Sequence, residues 1–441
     1  MGLKCEKARE RVQRTWKASI EHDLRGLVFS LAHSLTGRLS QEEMISAITQ
    51  KQAGTYWQDT AFAAGYPSLA LLCYYIALCT QEEQARENAY TYLQKAVKAT
   101  QDQPLQEAGL AKGTSGLANV LSFFEQEDEQ FRQASANLTQ QLARQAQHTT
   151  WVKTVCGHEV LDYDAVRGAS GVLRTLLIQQ DPNADVTSAI IQLLQILVAF
   201  ASDPNAWLIH SSFFPVSASR YPDQFVVNCG LAHGLPGPLV ALSLASLAGY
   251  SIDRQNTSIQ HLASWLADRF IQAPWGIDWP DVIPAHAALE QVRQLPPARS
   301  GWCYGAPGVV RSLWLAGQAL GNDRFRELAV QGIRATLQRP HTTRRIDPLT
   351  LCHGEAGLLM VALRFLKDTE DPFIEELIPG FVHRILARFQ PDAPFGFRYD
   401  FHVGSLIDSL GFFTGAVGTL LALLAASSSV EPKWDRALLL S

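Results

Sequence analysis

The chain has 441 residues, of which 47% are hydrophobic and 18% are charged, and its formal net charge is -5. This composition is typical of a soluble globular protein, excludes an intrinsically disordered chain and argues against a nucleic-acid-binding protein. At about 150 residues per domain, the length gives a first estimate of roughly three domains, which internal repeats would overturn.

The beginning of the chain carries no targeting signal. Residues Met1 to Glu10 lack the apolar stretch of a secretion signal, and the apolar run at Leu420 to Ala426 is shorter than the ~18 residues that a membrane span needs. We therefore expect a cytoplasmic protein without a transmembrane segment. The seven cysteines are odd in number and widely spaced, which predicts reduced core residues or metal ligands and no disulfide framework.

A Gly-x-x-Gly pair followed by an apolar segment with helical spacing recurs along the chain. Successive copies are between 48 residues (65 to 113) and 71 residues (234 to 305) apart, which accommodates two helices and their connections. The pattern predicts an all-α chain of seven helical pairs in a single domain over residues 1–441, as an open solenoid or as a closed ring. Six copies are complete, and in the first copy Ser68 replaces the second glycine; the copies begin at Gly65, Gly113, Gly168, Gly234, Gly305, Gly354 and Gly415.

The two longest spacers depart from the helical pattern. Residues 202–228 and 273–284 are too rich in proline and aromatic side chains for continuous helix, so we expect ordered loops. Such loops either seal the core or line a substrate groove near the fourth and fifth repeats.

When the repeats are aligned on their first glycine, two cysteines occupy equivalent places. Cys303 and Cys352 each precede the glycine by two residues, and His353 directly precedes it. Two thiolates and an imidazole suit zinc, and three protein ligands leave the fourth position open, as in catalytic sites. The alternative is that both cysteines are small buried side chains and that His353 caps a turn.

Other polar residues stand at related places in the repeats. His233 has the same position as His353, which favours an acid or base beside the metal over a buried structural histidine. Asp164 and Arg299 precede their glycines by four and six residues, and the pattern alone favours a helix-start acid and a surface charge. Cys229 is a weaker candidate for the wall of the site. The remaining cysteines are predicted to be structural: Cys5, Cys73, Cys79 and Cys156.

Three stretches together resemble the lanthionine synthetase C family: Gly230 to Gly237 (GLAHGLPG), Trp302 to Gly308 (WCYGAPG) and Leu351 to Gly357 (LCHGEAG). Weaker matches extend the resemblance from about Gly65 to the C-terminus. The resemblance implies a closed, double-layered α/α toroid with Zn²⁺ at one end of its central cavity. It implies the metal ligands Cys303, Cys352 and His353, and the catalytic residues His233, Asp164, Arg299 and Tyr304.

The resemblance also implies an activity. Members of this family are lanthipeptide cyclases, which add a peptide cysteine to dehydroalanine or dehydrobutyrine and so close a thioether ring. The expected substrate is a dehydrated precursor peptide with its leader. A separate dehydratase and an exporter are expected partners, because the chain resembles a stand-alone cyclase without a dehydratase half. Such a complex would bring a cytoplasmic enzyme to the membrane periphery.

Two other functions stay open at this point. A LanC-like enzyme would add glutathione or another small thiol to dehydroamino acids at the same site. A non-catalytic peptide-binding scaffold would use zinc only for structure. Zinc-dependent prenylation is disfavoured by the Gly-Leu-Ala-His-Gly and Trp-Cys-Tyr-Gly stretches, and hydrolase and nucleotide-binding motifs are absent from the sequence.

Overall fold

The computed structural model describes residues 14–52, 57–125, 127–149, 153–154, 157–158, 160–213, 220–402 and 405–441. The segment from Met1 to Glu10, Cys5 and Cys156 lie outside the described residues.

Two layers of helices make up most of the described chain. Three short helices, α2 (Glu42–Gln52), α7 (Val160–Tyr163) and α12 (Leu289–Val292), lie between the main ones. The inner layer comprises α3 (Tyr66–Thr80), α5 (Thr114–Leu121), α8 (Ala169–Leu176), α10 (Pro236–Leu247), α13 (Ala306–Leu320), α15 (Glu355–Thr369) and α17 (Ala416–Ser427). The outer layer comprises α1 (His22–Leu39), α4 (Glu83–Ala99), α6 (Glu129–His148), α9 (Ala184–Ser202), α11 (Gln255–Ala267), α14 (Asp323–Gln338) and α16 (Pro372–Leu386).

The inner helices close a ring. Each inner helix contacts the next one along the chain, and the last, α17, returns to contact α3. Each also packs against an outer helix, and α17 takes α1 from the beginning of the chain as its outer partner. The architecture is therefore a double-layered α/α toroid. This confirms the predicted fold class and decides in favour of the closed ring over the solenoid.

The repeated glycines allow close backbone packing at the beginning of each inner helix. A Cβ atom on Gly357 would overlap the carbonyl oxygen of Leu351, six residues earlier, and the same relationship recurs at Gly418 and Phe412. At Gly305 the backbone also has a φ of +109°, which a side chain would strain. In the first repeat Ser68 is accommodated, and its hydroxyl donates to the carbonyl oxygen of Gly65 at 2.9 Å.

Backbone hydrogen bonds join the seven repeats in a closed circle just before the inner helices begin; we refer to this circle as the backbone ring. Each bond joins residues two or three positions before the first glycine in consecutive repeats. The N–H to O=C pairs are Ala63 to Ala111 (2.9 Å), Ala111 to Val166 (3.2 Å), Ala165 to Ala232 (3.0 Å), Ala232 to Cys303 (3.3 Å), Cys303 to Cys352 (3.0 Å), Cys352 to Phe413 (2.9 Å) and Phe412 to Ala63 (2.8 Å). The backbone ring thus places equivalent residues of all repeats at one end of the toroid.

Short strands accompany the helices in the described residues. They are β1 (Lys153–Thr154), β2 (Gly157–His158), β3 (Leu208–His210), β4 (Phe225–Asn228), β5 (Ile271–Ala273), β6 (Gly276–Asp278), β7 (Val282–Pro284), β8 (Tyr399–His402) and β9 (Ser405–Ile407).

The two long spacers meet in one antiparallel sheet of order β3-β4-β7, in which Val227 pairs with Ile283. The expectation of loops was therefore wrong for these segments, because strands of three or four residues are too short to show an alternating pattern. Trp207 and Trp279 are buried, so the spacers do seal the core. Residues 214–219 of the first spacer are not among those described.

The centre of the toroid is filled by the C-terminal segment. Its 3₁₀ helix, Lys433–Leu438, contacts α5 and α8. Nε of Arg311 donates to the carbonyl oxygen of Leu440 at 2.8 Å, and the indole N–H of Trp302 donates to that of Leu438 at 2.8 Å. The Trp302 contact lies one residue before Cys303, so the filled centre supports the end of the toroid that carries the predicted metal ligands.

Helix α9 has the length and composition of a membrane span, although the sequence led us to expect no such segment. By those two criteria it is long and apolar enough, and half of it is buried within the protein. The sequence shows no uninterrupted apolar run of this length, because polar residues such as Gln192 are scattered along α9. Its contacts with α6, α8 and α11 give its apolar side chains neighbours inside the toroid.

Candidate metal centre and its surroundings

Cys303, Cys352 and His353 come together at the end of the toroid marked by the backbone ring. Their sulfur and imidazole nitrogen atoms lie within 4.8 Å of one another, the one such group of metal-binding side chains found among the described residues. The bond from the N–H of Cys303 to the carbonyl of Cys352 sets the two cysteines side by side. Gly301 leaves room for His353, since a Cβ there would lie 3.1 Å from the Cα of His353.

The chemistry of this group fits a zinc ion. Two sulfur donors and one imidazole nitrogen form a ligand set that zinc commonly takes in proteins. The side-chain hydrogen bond with Cys352 lowers the pKa of Cys303 to about 5, and His353 adds to this effect against the cost of burial. The same hydrogen bond and burial raise the pKa of Cys352. The lowered pKa of Cys303 favours a thiolate at that position, and a thiolate would attract a cation.

His233 and Asp164 form a hydrogen-bonded pair beside this group. Nδ1 of His233 lies 2.7 Å from Oδ2 of Asp164, and Asp164 is fully buried. Since the carboxylate accepts, Nδ1 carries the proton and Nε2 is left for another partner. Burial lowers the pKa of His233, but the hydrogen bond and charge of Asp164 outweigh burial and raise it above its ordinary value.

The beginning of α8 holds the Asp164 carboxylate in place. Its Oδ1 accepts three backbone N–H groups, from Val166 at 2.9 Å, Arg167 at 2.6 Å and Gly168 at 2.8 Å. These bonds satisfy free amides ahead of a helix and leave Oδ2 for His233. Asp164 therefore has both roles at once. Oδ1 binds the backbone at the helix start, as the sequence pattern predicted, and Oδ2 binds His233.

Tyr304 lies close to both His233 and the sulfur atoms. Its ring centroid is 6.5 Å from that of His233, and its hydroxyl accepts a hydrogen bond from Nδ2 of Asn228 at 3.2 Å. Burial, together with the nearby charge of Cys303 and Cys352, raises the pKa of Tyr304. The phenol therefore stays protonated at neutral pH.

Arg299 is half-buried and faces the same site. Its positive charge lowers the pKa of both Cys303 and Cys352, which places the guanidinium near the sulfur atoms. Within the described part of the chain, its side chain makes no hydrogen bond and no ion pair. Surface arginines such as Arg167 and Arg324, by contrast, are paired with a carboxylate. A guanidinium with unused donors beside a metal group is suited to bind an anionic oxygen.

The structure therefore brings together all seven predicted site residues, and it places Cys229 elsewhere. The thiol of Cys229 packs in a small apolar cluster with Ile283 and Val292. Cys73 and Cys79 also lie outside the metal group. Asn228 could not be predicted as a site residue, because an asparagine five residues before a histidine forms no recognisable motif.

Comparisons with known proteins agree with this geometry. The sequence model of the family described as "Lanthionine synthetase C-like protein" matches residues 56–439. The chain is 24% identical over 399 residues to the nisin biosynthesis protein NisC of Lactococcus lactis subsp. lactis, covering 87% of this chain and 89% of that one. The solved structure of a nisin cyclase matches with a TM-score of 0.74 and 22% identity, covering 90% of this chain and 96% of the other, which shows the same fold.

Proposed function

The chain belongs to the lanthionine synthetase C-like family, and on that premise we propose that it is a zinc-dependent lanthipeptide cyclase. The observation that carries the proposal is the meeting of a sulfur, sulfur and nitrogen ligand set with a histidine–aspartate pair at one end of the toroid. The relative from Lactococcus lactis is a nisin biosynthesis protein, which supports a modified peptide as the substrate.

Cys303, Cys352 and His353 would hold the zinc ion, and two thiolates with a neutral imidazole balance its charge. Bound zinc would lower the pKa of a substrate cysteine, so that its thiolate is populated at neutral pH. Three protein ligands leave a place for that thiolate, as an open catalytic site requires.

The reaction is a Michael addition that needs no further reactant. The substrate sulfur forms a bond to the β carbon of dehydroalanine or dehydrobutyrine, and the π electrons of the C=C bond move to the carbonyl oxygen. The resulting enolate then takes up a proton at the α carbon. In sum, S–H adds across C=C, a thioether ring of lanthionine or methyllanthionine closes, and the mass of the peptide is unchanged.

We assign the proton at the α carbon to Nε2 of His233. Asp164 orients the imidazole through Nδ1, and its carboxylate balances the positive charge that the ring carries once Nε2 has taken up a proton. The same imidazole is placed to take the proton that the substrate thiol loses. Arg299 and Tyr304 have free donors for the enolate oxygen, where negative charge develops.

The proposed substrate is a dehydrated precursor peptide that retains its leader. The dehydroamino acids it contains require a dehydratase upstream, and the finished peptide requires an exporter. Contacts between this chain and those two proteins belong to the proposal.

Ring closure can be measured directly. The purified zinc-loaded chain is incubated with a dehydrated precursor peptide encoded beside its gene, and free thiols are then alkylated and counted by mass spectrometry. We expect free thiols to disappear while the mass before alkylation stays constant, and His233→Ala to abolish this although it retains zinc. If glutathione is present and the mass rises by one glutathione, the intermolecular reaction is favoured. Binding of the peptide with every thiol still free would overturn the cyclase proposal in favour of a scaffold.

A further inference from the structure

Asn228 joins three parts of the candidate site. It is the last residue of β4, and it is 1% exposed. Its side-chain oxygen accepts the N–H of Gly230 at 2.8 Å, and its backbone carbonyl accepts the N–H of Leu235 at 3.0 Å. Its side-chain nitrogen donates to the hydroxyl of Tyr304 at 3.2 Å. The residue therefore connects the sheet to both sides of the loop that carries His233, and also to Tyr304.

The contact with Gly230 fixes which end of the amide faces Tyr304. A backbone N–H can only donate, so the atom that faces Gly230 must be the amide oxygen. The NH₂ group must then face Tyr304. The Tyr304 oxygen accepts this bond, and the phenolic proton is left to point away from Asn228.

Tyr304 itself has little freedom to turn. Its ring packs on Gly230, where a Cβ atom would lie 2.7 Å from Cδ1 and 2.8 Å from Cε1. The side chain is half-buried, with His233 on one side and Cys303 preceding it in the chain. A phenol held in this way must donate its proton in a direction other than that of Asn228.

We propose that Asn228 is a positioning residue that makes the Tyr304 hydroxyl a hydrogen-bond donor to the carbonyl oxygen of the dehydroamino acid. The identity of the acceptor rests on the proposed function, whereas the direction of the Asn228–Tyr304 bond does not. A preset donor at this oxygen stabilises the enolate without reorganisation during the reaction.

The substitution Asn228→Asp reverses the bond with little change in shape. One carboxylate oxygen of the introduced aspartate still accepts the N–H of Gly230. The other oxygen stands where the amide NH₂ group stood and can only accept, so the phenolic proton of Tyr304 turns toward it. The intensity ratio of the tyrosine Fermi doublet in ultraviolet resonance Raman spectra reports this. The signal of Tyr304 is isolated as the difference between each protein and its Tyr304→Phe counterpart, without substrate.

We expect the ratio for Tyr304 to indicate an accepted hydrogen bond in the wild type and to fall in Asn228→Asp. Asn88→Asp is the matched control, since Asn88 is also buried and donates its amide to the carbonyl of Thr36, far from the site. It should leave the Tyr304 signal unchanged. A wild-type signal of a hydroxyl that only donates would overturn the proposal, and this measurement needs no folded Asn228→Asp protein.

Cyclisation provides the second measurement. Loss of one oxyanion donor lowers a rate by roughly 10²-fold or more, so Asn228→Asp and Tyr304→Phe should each slow ring closure about a hundredfold with zinc content unchanged. The double variant should be no slower than the slower single variant, because both remove the same donor. If the two rate reductions instead multiply in the double variant, Asn228 acts independently of Tyr304 in a structural role, and the proposal is overturned. If no variant and no wild type cyclises, the proposed function fails, whereas the Raman result still decides the bond direction.

Discussion

The imidazole of His233 and the carboxylate of Asp164 are 2.7 Å apart, although 69 residues separate them in the chain. The contact joins the third repeat to the fourth across the backbone ring, in which the N–H of Ala165 binds the carbonyl of Ala232. One repeat thus supplies the charge that orients the imidazole of its neighbour. The first prediction tests this pairing.

Asp164→Asn should retain the three backbone bonds to Oδ1 but present an NH₂ group to Nδ1 of His233. The imidazole must then change its tautomer, and we expect kcat for ring closure to fall roughly 10²- to 10⁴-fold. Glu107→Gln is the control, because the Glu107 carboxylate, among the residues that the structure describes, makes only an exposed ion pair with Arg167. Comparable loss in both variants would contradict a specific role for Asp164.

The same pair predicts a pH dependence of stability. Since Asp164 raises the pKa of His233 above 6.5 in the folded protein, protonation of His233 stabilises the fold. That contribution is present in full below about pH 6.5 and is lost as the pH rises through the raised pKa. In Asp164→Asn the contribution of the carboxylate is lost, while burial still lowers the pKa of His233 and nearby Cys303 still raises it. The pKa of His233 should therefore be lower than in the wild type, and the stabilisation gained by its protonation should shrink. Urea unfolding of zinc-free protein between roughly pH 5 and 9 measures this, with an NMR titration of His233 as the direct readout. Parallel stability profiles for the two proteins would contradict the prediction.

Removal of a metal ligand should act on zinc binding before it acts on activity. We expect Cys352→Ala to lower zinc affinity by more than about 100-fold, since even the loss of partners outside the ligand set costs 10- to 100-fold. Cys73→Ala provides the matched control, because Cys73 is a buried cysteine of an inner helix outside the metal group. Zinc per chain after gel filtration is the measurement, and full retention of zinc by Cys352→Ala would refute the ligand assignment.

Arg299→Ala separates catalysis from stability. The side chain has no hydrogen bond or ion pair within the described residues, so its loss should change the free energy of unfolding by no more than about 0.5 kcal/mol. Its loss should nevertheless lower kcat/KM for cyclisation roughly 10²-fold, because a donor to the enolate oxygen is removed. Arg299→Lys should recover part of the rate. Unchanged kinetics in Arg299→Ala would assign the enolate oxygen to other groups.

The glycine pairs make a prediction about folding alone. Gly357→Ala places a methyl group on the carbonyl oxygen of Leu351 and should destabilise the protein by about 3 kcal/mol or more. Gly26→Ala is the opposite case, since a Cβ there meets no atom within 4 Å in the exposed face of α1. Better helix propensity should stabilise that variant by about 0.5 to 1 kcal/mol. Thermal and urea unfolding measure the change in the free energy of unfolding of each variant. Equal changes would show that close backbone packing is not the reason for glycine at position 357.

The inner helices were predictable from sequence because the close approach at their beginnings requires glycine at fixed positions. The short strands were not, since two to four residues cannot show a period. The pairing of α1 with α17 was not predictable either, because it joins opposite ends of the chain and depends on closure of the ring.

The site residues also differ in whether they could be predicted from the sequence. Cys303, Cys352, His353 and His233 share positions relative to a glycine, so alignment of the repeats was enough to predict that they meet. Asp164 and Arg299 have no such register, and only the family resemblance selected them. Neither the alignment of the repeats nor the family resemblance identified Asn228, because its role depends on a contact with Tyr304, 76 residues away.

The backbone ring consists only of main-chain N–H and C=O groups, so it is indifferent to the side chains at its positions. Ala111 and Val166 in the second and third repeats are joined by the same bond as Cys303 and Cys352, and Arg167 stands where His353 stands. The bond that joins two neighbouring repeats is therefore the same whether or not the repeats carry metal-binding side chains. The main chain thus holds the circle together, while the side chains of one sector supply the candidate metal ligands.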